Sequence, residues 1–503
     1  LKNIPAMKIA VVAASRNGFS EELSANRRKK VAEIYRSKYD EADIYECPIC
    51  VGDNEVSVGR VLKNIQKEEC NALCIYLGNY GPEIAETMLA EKFFGPVMFC
   101  AAAEDDSEDL FDGRGDAYCG MLNASYALGI RNKRVYIPEE PVGDTAECAE
   151  MIHDFLPIAR AVEGLRNLKI ISFGPRPNNF LACNAPIKPL FDLGVEIEEN
   201  SELDLLDAFQ KHEGDKRIPG LVEEMATELG AGSASPGILP KLAQYELTLM
   251  DWIRTHKGQR KYVALTSKCW PAFAPQFGFV PCYVNSRLTA KGYPVACEVD
   301  IYGALSEYIG TCVTADAVTI LDINNSVPRG MYEESIRGQS FIDGTYGLRD
   351  LFMAFHCGNT SACKMKDCKL CSHQMMSKNL PEEITQGTLQ GDLQSGKATL
   401  YRLQSTAAGK LCAYVAQGEI LPVATKSYGS IGICAVKGMG RFYRHVLVEK
   451  HFPHHGAVLF GHYGQAVYEV FRYLGIEAAD IDYNRLEGDF YETENPFYRG
   501  LSV

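Results

Sequence analysis

The segment YPVACEVDIYGALSEYIGTCVTADAVTILDIN, residues 293–324, decides how this chain is read. A short apolar run ends near Glu298, a helical-period stretch covers Tyr302 to Gly310, and a second apolar run, Ala317 to Ile323, carries Asp322. Strand, helix and strand in that order form a βαβ unit, whose right-handed crossover makes the two strands parallel. Both carboxylates then emerge at one carboxyl edge, where open α/β sheets bind their ligands. Two acids buried together need a cation or a shared proton, so the pair reads as metal ligands or as an acid–base dyad. A strand-end cap beside an exposed acid is the alternative at this spacing.

Upstream, the same alternation continues. Short apolar runs at Lys8 to Ala14, Leu73 to Gly78, Pro96 to Ala101 and Arg134 to Ile137 alternate with amphipathic stretches at Glu21 to Lys38, Pro82 to Glu91 and Thr145 to Leu165. This predicts a doubly wound parallel sheet. The pattern restarts at Leu168 to Phe173 and runs through a long helix, Leu239 to Thr255, and a strand, Tyr262 to Thr266. Beyond Pro328 the texture becomes β-alternating, at Ala398 to Gln404, Lys410 to Val415 and Ser430 to Lys437, with a helix at Gln465 to Leu474 near the end. The expected architecture is two Rossmann-like doubly wound α/β domains followed by a β-rich, antiparallel or barrel-like C-terminal domain. The expected boundaries are 1–165, 166–335 (carrying Glu298 and Asp322) and 336–503 (carrying His455).

Composition narrows the function. With 503 residues, 46% of them hydrophobic and 23% charged, the chain is long enough for several cores and is neither disordered nor fibrous. A net charge of -14 gives a surface that repels phosphate backbones, so no nucleic-acid partner is expected. No apolar run reaches the roughly 18 residues of a spanning helix, and LKNIPAMKIAVVAAS shows no signal-peptide cleavage pattern. A soluble, cytoplasmic protein without membrane attachment is the expectation. The 18 cysteines lie mostly in apolar runs and read as buried thiols. Cys357, Cys363, Cys368, Cys371 and His373 are dense, but a single C-x-x-C pair falls short of a structural zinc site.

Two nucleotide-binding motifs fail. No G-x-G-x-x-G opens a helix, and GDLQSGKA, Gly391 to Ala398, places Ala398 where a P-loop needs Ser or Thr. A strand-like ATLYRL follows it, so the stretch reads as a hairpin turn. His454 and His455, in FPHHGAVLFGHYG, supply the usual nitrogen ligand before a predicted strand. Carboxylates with an imidazole suit a Mn- or Mg-like ion that keeps open positions, though a loop histidine also serves as a surface or capping residue.

These blocks resemble the L-fucose and L-arabinose isomerase family. KCWPAF, YPVACEVDIYGALSEYIG, VTILDIN, FHCGN and FPHHGAVLFGHYGQAVYEVFRYLGI follow the family's order, most clearly over residues 262–360 and 440–480. The resemblance implies an aldose–ketose isomerase with a divalent metal, Mn2+ by ligand preference, held by Glu298, Asp322 and His455. Glu298 and Asp322 would also move protons through an enediolate. It further implies Arg16 reaching the sugar from a neighbouring subunit of a trimeric or hexameric homo-oligomer, Trp270 as a pocket wall and His356 as a pocket or metal residue. For Arg16 and Trp270, a surface ion pair and a core aromatic are the alternative readings. L-fucose, D-arabinose, L-arabinose or a related modified sugar is the expected substrate. A metal-dependent aldolase or hydrolase and a non-catalytic sugar-binding protein are the competing classes.

Overall fold

The computed structural model describes residues 2–104, 110–111, 113–232, 236–342 and 346–484. Strands β1 (Ile9–Ala14), β2 (Ile44–Glu46), β3 (Ala72–Leu77), β4 (Val97–Ala102) and β5 (Val142–Gly143) form an all-parallel sheet in the order β2-β1-β3-β4-β5. β1, β3 and β4 are buried at every position, which is why they read as continuous apolar runs rather than as alternation. Helices α1 (Glu21–Lys38), α2 (Glu55–Lys67), α3 (Glu83–Lys92), α4 (Ala117–Ile130) and α5 (Thr145–Arg166) connect and flank these strands. The run at Arg134 to Ile137 does not become a strand. Tyr136 makes only an isolated parallel bridge to Met98, and the edge position passes to β5.

A second parallel sheet holds β6 (Leu168–Phe173), β7 (Glu196–Asn200), β8 (Tyr262–Thr266) and β9 (Val295–Ala296) in the order β7-β6-β8-β9. Nine further strands follow: β10 (Thr319–Ser326), β11 (Leu351–His356), β12 (Met365–Ser372), β13 (Gln386–Leu393), β14 (Gly396–Ser405), β15 (Leu411–Leu421), β16 (Ser430–Ala435), β17 (His455–Leu459) and β18 (Ile481–Asn484). Six of them, β10, β11, β16, β15, β14 and β17, close into an antiparallel barrel, because β16 pairs with both β11 and β15. β12 and β13 extend it beyond β16, and β18 adds to β15. The fold is thus two Rossmann-like α/β parts followed by a β-rich part, as the sequence predicts.

Residues 5–163 with 473–475 form one compact unit, and the other described residues form a second. Within that second unit a single hydrophobic core runs from Ile171, Phe173 and Leu265 of the α/β sheet to Leu321, Leu400 and Tyr414 of the barrel. Two local expectations change here. Helix Ile301–Thr314 does not cross back to a parallel strand beside β9; it leads out of the α/β sheet into the barrel, where both edges of β10 are taken antiparallel by β11 and β17. Asp322 is accordingly carried by a barrel strand and not by the second α/β sheet. Likewise Gln394 and Ser395 join β13 to β14, which are not neighbours, so this link is not a hairpin: β14 has β15 and β17 on its two edges.

Candidate metal centre

The short β9 ends in a turn, Cys297–Val299, in which both Glu298 (φ 59°) and Val299 (φ 57°) are left-handed. That conformation is costly for residues with a Cβ, most of all for a β-branched one. The turn is pinned by Val299 N–H donating to the Ser267 carbonyl (3.1 Å) and Asp300 N–H donating to that of Cys297 (3.1 Å). Strained backbone held this firmly fixes where the Glu298 carboxylate projects.

Asp300, two residues on, caps helix Ile301–Thr314 by accepting from Gly303 N–H at 2.9 Å. It also accepts two hydrogen bonds from Arg402 of β14, at 2.7 and 2.8 Å, and one from His455 Nδ1 at 2.8 Å. Arg402 spends its Nε–H on Gln404 Oε1 at 2.9 Å. All three charged or titratable groups, Asp300, Arg402 and His455, are buried. With Nδ1 donating to Asp300, the His455 ring has Nε2 as its remaining ligand position, a common way of orienting a metal-binding imidazole.

His455 opens β17 and stands directly across the sheet from Asp322 of β10, so strand register alone makes these two neighbours. His455 Nε2 lies 3.6 Å from Glu298 Oε2 and 3.5 Å from Asp322 Oδ1. His455 Nε2 thus stands between the two carboxylates, which fall in two potential ligand groups that share His455. Glu298 Oε2 is buried and has no hydrogen-bond partner among the described residues. Two carboxylates and an imidazole nitrogen, with a carboxylate oxygen left unpaired out of water, are a donor set that fits a divalent cation of the Mn or Mg kind.

Burial pushes the Glu298 carboxyl up to about 7, reinforced by the negative Asp322 and Asp300 and opposed by His455. Burial likewise pushes Asp322 up to about 6. For His455, burial disfavours the charged ring, but the Asp300 carboxylate outweighs it and raises its proton affinity well above that of ordinary imidazole. Asp300 is held well below the usual carboxylate range, because Arg402 and His455 outweigh its own burial. Protons and a cation therefore compete for Glu298, Asp322 and His455 Nε2. Cation affinity should rise steeply as pH increases from about 5 to 8, with protons released on binding. Calorimetric titration with Mn2+ in buffers of different ionisation enthalpy reads both effects; a pH-independent affinity would remove these residues from the ligand set.

Around this trio the structure brings in further groups. His356, at the end of β11, follows Phe355, which pairs with Asp322, so the bulk of the 34-residue separation is spanned by one strand pairing. Its ring centroid is 6.1 Å from that of His455, its Nδ1 is buried with no hydrogen-bond partner among the described residues, and burial lowers its pKa to about 3. Asp322, His356 and His455 form one potential ligand group, and Glu298, His454 and His455 another. His454 is more exposed than His455, with Nε2 at 3.8 Å from Glu298 and 3.9 Å from Asp322. Phe180 packs 5.7 Å from His454 and edge-on to Trp270, also at 5.7 Å, so Trp270 belongs to an aromatic wall beside the carboxylates. Arg16 lies in the other unit, exposed, with its guanidinium 4.7 Å from the centre of the Tyr80 ring.

Asp300, Arg402 and Cys183 are site residues that the sequence reading does not single out. Cys183 forms a third potential ligand group with Asp300 and His455. Asp300 had a legible signal: an aspartate directly before a helical run, with glycine three positions on, is an N-cap pattern. Arg402 had a weaker one, an arginine inside the apolar alternation ATLYRL, which demands a buried acid but does not say which. All 18 cysteines are free thiols, and most are buried or half-buried.

Among the described residues, no helix is long and apolar enough to cross a membrane. Residues 10–166 match the family model described as fucose/sulfoquinovose isomerase, N-terminal domain. Residues 354–482 match the model described as L-fucose isomerase, C-terminal domain. A sulfoquinovose isomerase from Alkalicoccus urumqiensis is 22% identical over 349 residues, 67% of this chain and 70% of that protein. One from Clostridium sp. (strain MSTE9) is 30% identical over 221 residues, 41% of this chain and 46% of the relative. One from Priestia aryabhattai is 28% identical over 158 residues, 30% of this chain and 33% of the relative.

Proposed function

The chain belongs to the fucose/sulfoquinovose isomerase superfamily, and from that premise we propose that it interconverts an aldose and its ketose with a divalent cation at Glu298, Asp322 and His455. The observation that carries this reading is the approach of Glu298 and Asp322, from separate segments, to His455 Nε2, with Glu298 Oε2 making no hydrogen bond among the described residues. We take the sugar to be sulfoquinovose or a closely related sulfonated hexose, in preference to L-fucose or an arabinose, because the curated relatives above are sulfoquinovose isomerases. Mn2+ remains the ion favoured by the oxygen-rich donor set.

When bound, such an ion supplies Lewis acidity that favours charge building on a sugar oxygen. The chain does the rest. Glu298, from a turn, and Asp322, from a strand, both approach His455 Nε2, so one carboxylate takes the proton from the carbon next to the carbonyl and delivers it to the carbonyl carbon, while the other moves the hydroxyl proton from one oxygen to its neighbour. Asp300, itself held ionised by Arg402, keeps His455 Nδ1 protonated and its Nε2 facing the carboxylates. Trp270, Phe180 and His454 present ring surface to the open-chain sugar beside the carboxylates. Arg16 contacts the sugar's far end from a neighbouring subunit of a closed homo-oligomer.

The test is direct. Purified protein loaded with Mn2+ should convert sulfoquinovose to its ketose, lose that activity on chelation and regain it with Mn2+ better than with Zn2+ or Ca2+. L-Fucose, D-arabinose and L-arabinose should be turned over more slowly. Conversion of none of these sugars, or full activity in metal-free protein, would overturn the assignment.

A further inference from the structure

β6 and β8 lie side by side in the order β7-β6-β8-β9, yet β6 connects onward to a strand on one side and β8 to a strand on the other. The gap at their carboxyl ends is therefore a switch point, the place where open α/β sheets hold ligands. Two loops start there. The one after β8 carries Trp270, and the one after β6, from Gly174 onward, carries Phe180 and Cys183. Phe180 lies 5.7 Å from both Trp270 and His454, and Cys183 shares a potential ligand group with Asp300 and His455. The loop after β6 thus runs along the metal centre.

Arg176 stands at the root of that loop, half-buried, just before a turn closed by Phe180 N–H donating to the Pro177 carbonyl at 3.0 Å. Its Nη1 donates to the carbonyls of Pro177 and Asn178, at 2.9 and 2.6 Å. Both acceptors are neutral, and Arg176 forms no ion pair among the described residues. The neighbouring Lys268, which donates to the Pro175 carbonyl at 2.7 Å, is by contrast paired with Glu202 at 2.9 Å, and Arg402 is paired with Asp300 at 2.7 Å. Arg176 Nε is buried and has no hydrogen-bond partner among the described residues. In a planar guanidinium the Nε–H and one Nη2–H lie parallel along one edge, a fork that grips two oxygens of a single anion. With Nη1 tied to the backbone, that edge is the one left over. A buried N–H without an acceptor is costly, so the fork calls for an acceptor that the described chain does not supply.

We propose, on the isomerase reading given above, that Arg176 holds the terminal sulfonate of the sugar and so sets the preference for a charged substrate. In a sulfonated hexose the anion sits on the last carbon, at the opposite end of the open chain from the carbons that exchange hydrogen. A chain lying along the Trp270 and Phe180 rings, with its carbonyl end at Glu298 and Asp322, carries that anion along the loop towards Arg176. Two sulfonate oxygens match the Nε and Nη2 edge, and the charge they bring meets a guanidinium that no carboxylate has neutralised. L-Fucose has a methyl group at that carbon, which leaves the buried Nε–H unpaired, so discrimination comes from an unsatisfied donor as much as from attraction.

The experiment uses the full chain loaded with Mn2+ and compares wild type, Arg176→Gln and Arg176→Lys, with far-UV spectra and Mn2+ affinity expected to be the same in all three. For sulfoquinovose, Arg176→Gln should raise KM about 10- to 150-fold, the range for losing a hydrogen bond between charged groups, with kcat little changed. Arg176→Lys keeps the charge without the fork and should recover only part of that loss; it also carries the comparison if Arg176→Gln does not fold. KM for L-fucose, which brings no anion, should stay within about two-fold of wild type. A second measurement needs no turnover. The alditol of sulfoquinovose has the sulfonate but no carbonyl, and its calorimetric Kd should rise by the same factor in Arg176→Gln. Alditol binding that depends on Arg176, in a protein that does not convert sulfoquinovose, would sink the isomerase reading and support this site. An unchanged KM for sulfoquinovose in the variants, an equal loss on both sugars, or a wild type that does not bind the alditol would overturn the proposal.

Discussion

Glu298→Gln and Asp322→Asn should each lower turnover by about 100- to 10,000-fold, the range for losing a positioned acid or base, while leaving the fold in place. Each substitution keeps the side-chain shape but removes a proton acceptor and a negative charge facing His455 Nε2, at 3.6 and 3.5 Å respectively. Weakened cation binding could produce the same loss, so Mn2+ content is measured alongside rate in each variant. The chemistry has its own signature. A carboxylate that carries a proton between neighbouring carbons in a partly wet pocket exchanges some of it with solvent, so turnover in deuterated water should place deuterium at C1 or C2. Near-normal turnover in both fully loaded variants, with no label incorporated, would refute the carboxylate mechanism.

Asp300→Ala should cost about 3–5 kcal/mol of stability, the usual consequence of removing one partner of a buried ion pair and leaving the other charge unpaired. Both Asp300 and Arg402 are 1% exposed, and among the described residues the other acceptors of Arg402 are Gln404 and, at 3.4 Å, the His455 carbonyl. The sign with pH follows from the depressed Asp300 carboxyl. Its stabilisation is complete above the ordinary carboxylate range and is lost only as pH falls through the lowered folded value. Urea midpoints for wild type and Asp300→Ala should therefore differ at pH 7 and converge in acid. In Asp300→Asn the amide oxygen can still accept from His455 Nδ1, so this variant should fold better yet bind Mn2+ about 10- to 100-fold more weakly, because the acceptor that holds the ring has lost its charge. Unchanged Mn2+ affinity in a folded Asp300→Asn protein would remove Asp300 from any role in positioning His455.

The order of layers was legible because burial writes itself into short patterns. β1, β3 and β4 are parallel strands covered on both faces, so their apolar runs could be read without knowing their neighbours. The candidate ligands were legible as residue types in recognisable blocks: an acid near the end of one apolar run, an acid in the next and a histidine before a third. The sequence alone thus determined the succession of two α/β parts and a β-rich part, and it placed Glu298, Asp322 and His455 among the residues to watch. Only the tertiary structure decided which strand each one meets. The expected route to the Glu298–Asp322 pair, two parallel strands in one sheet, is not the one taken. β10 pairs with β11 and β17 through hydrogen bonds to residues about 30 and 130 positions downstream, a choice made by long-range backbone pairing and invisible in local periodicity. The same pairing set His455 opposite Asp322 and carried His356 to the same place. Arg402 and Asp300 find each other across 102 positions because a guanidinium enclosed by the barrel must meet a carboxylate, and the chain's path alone determines which carboxylate is within reach.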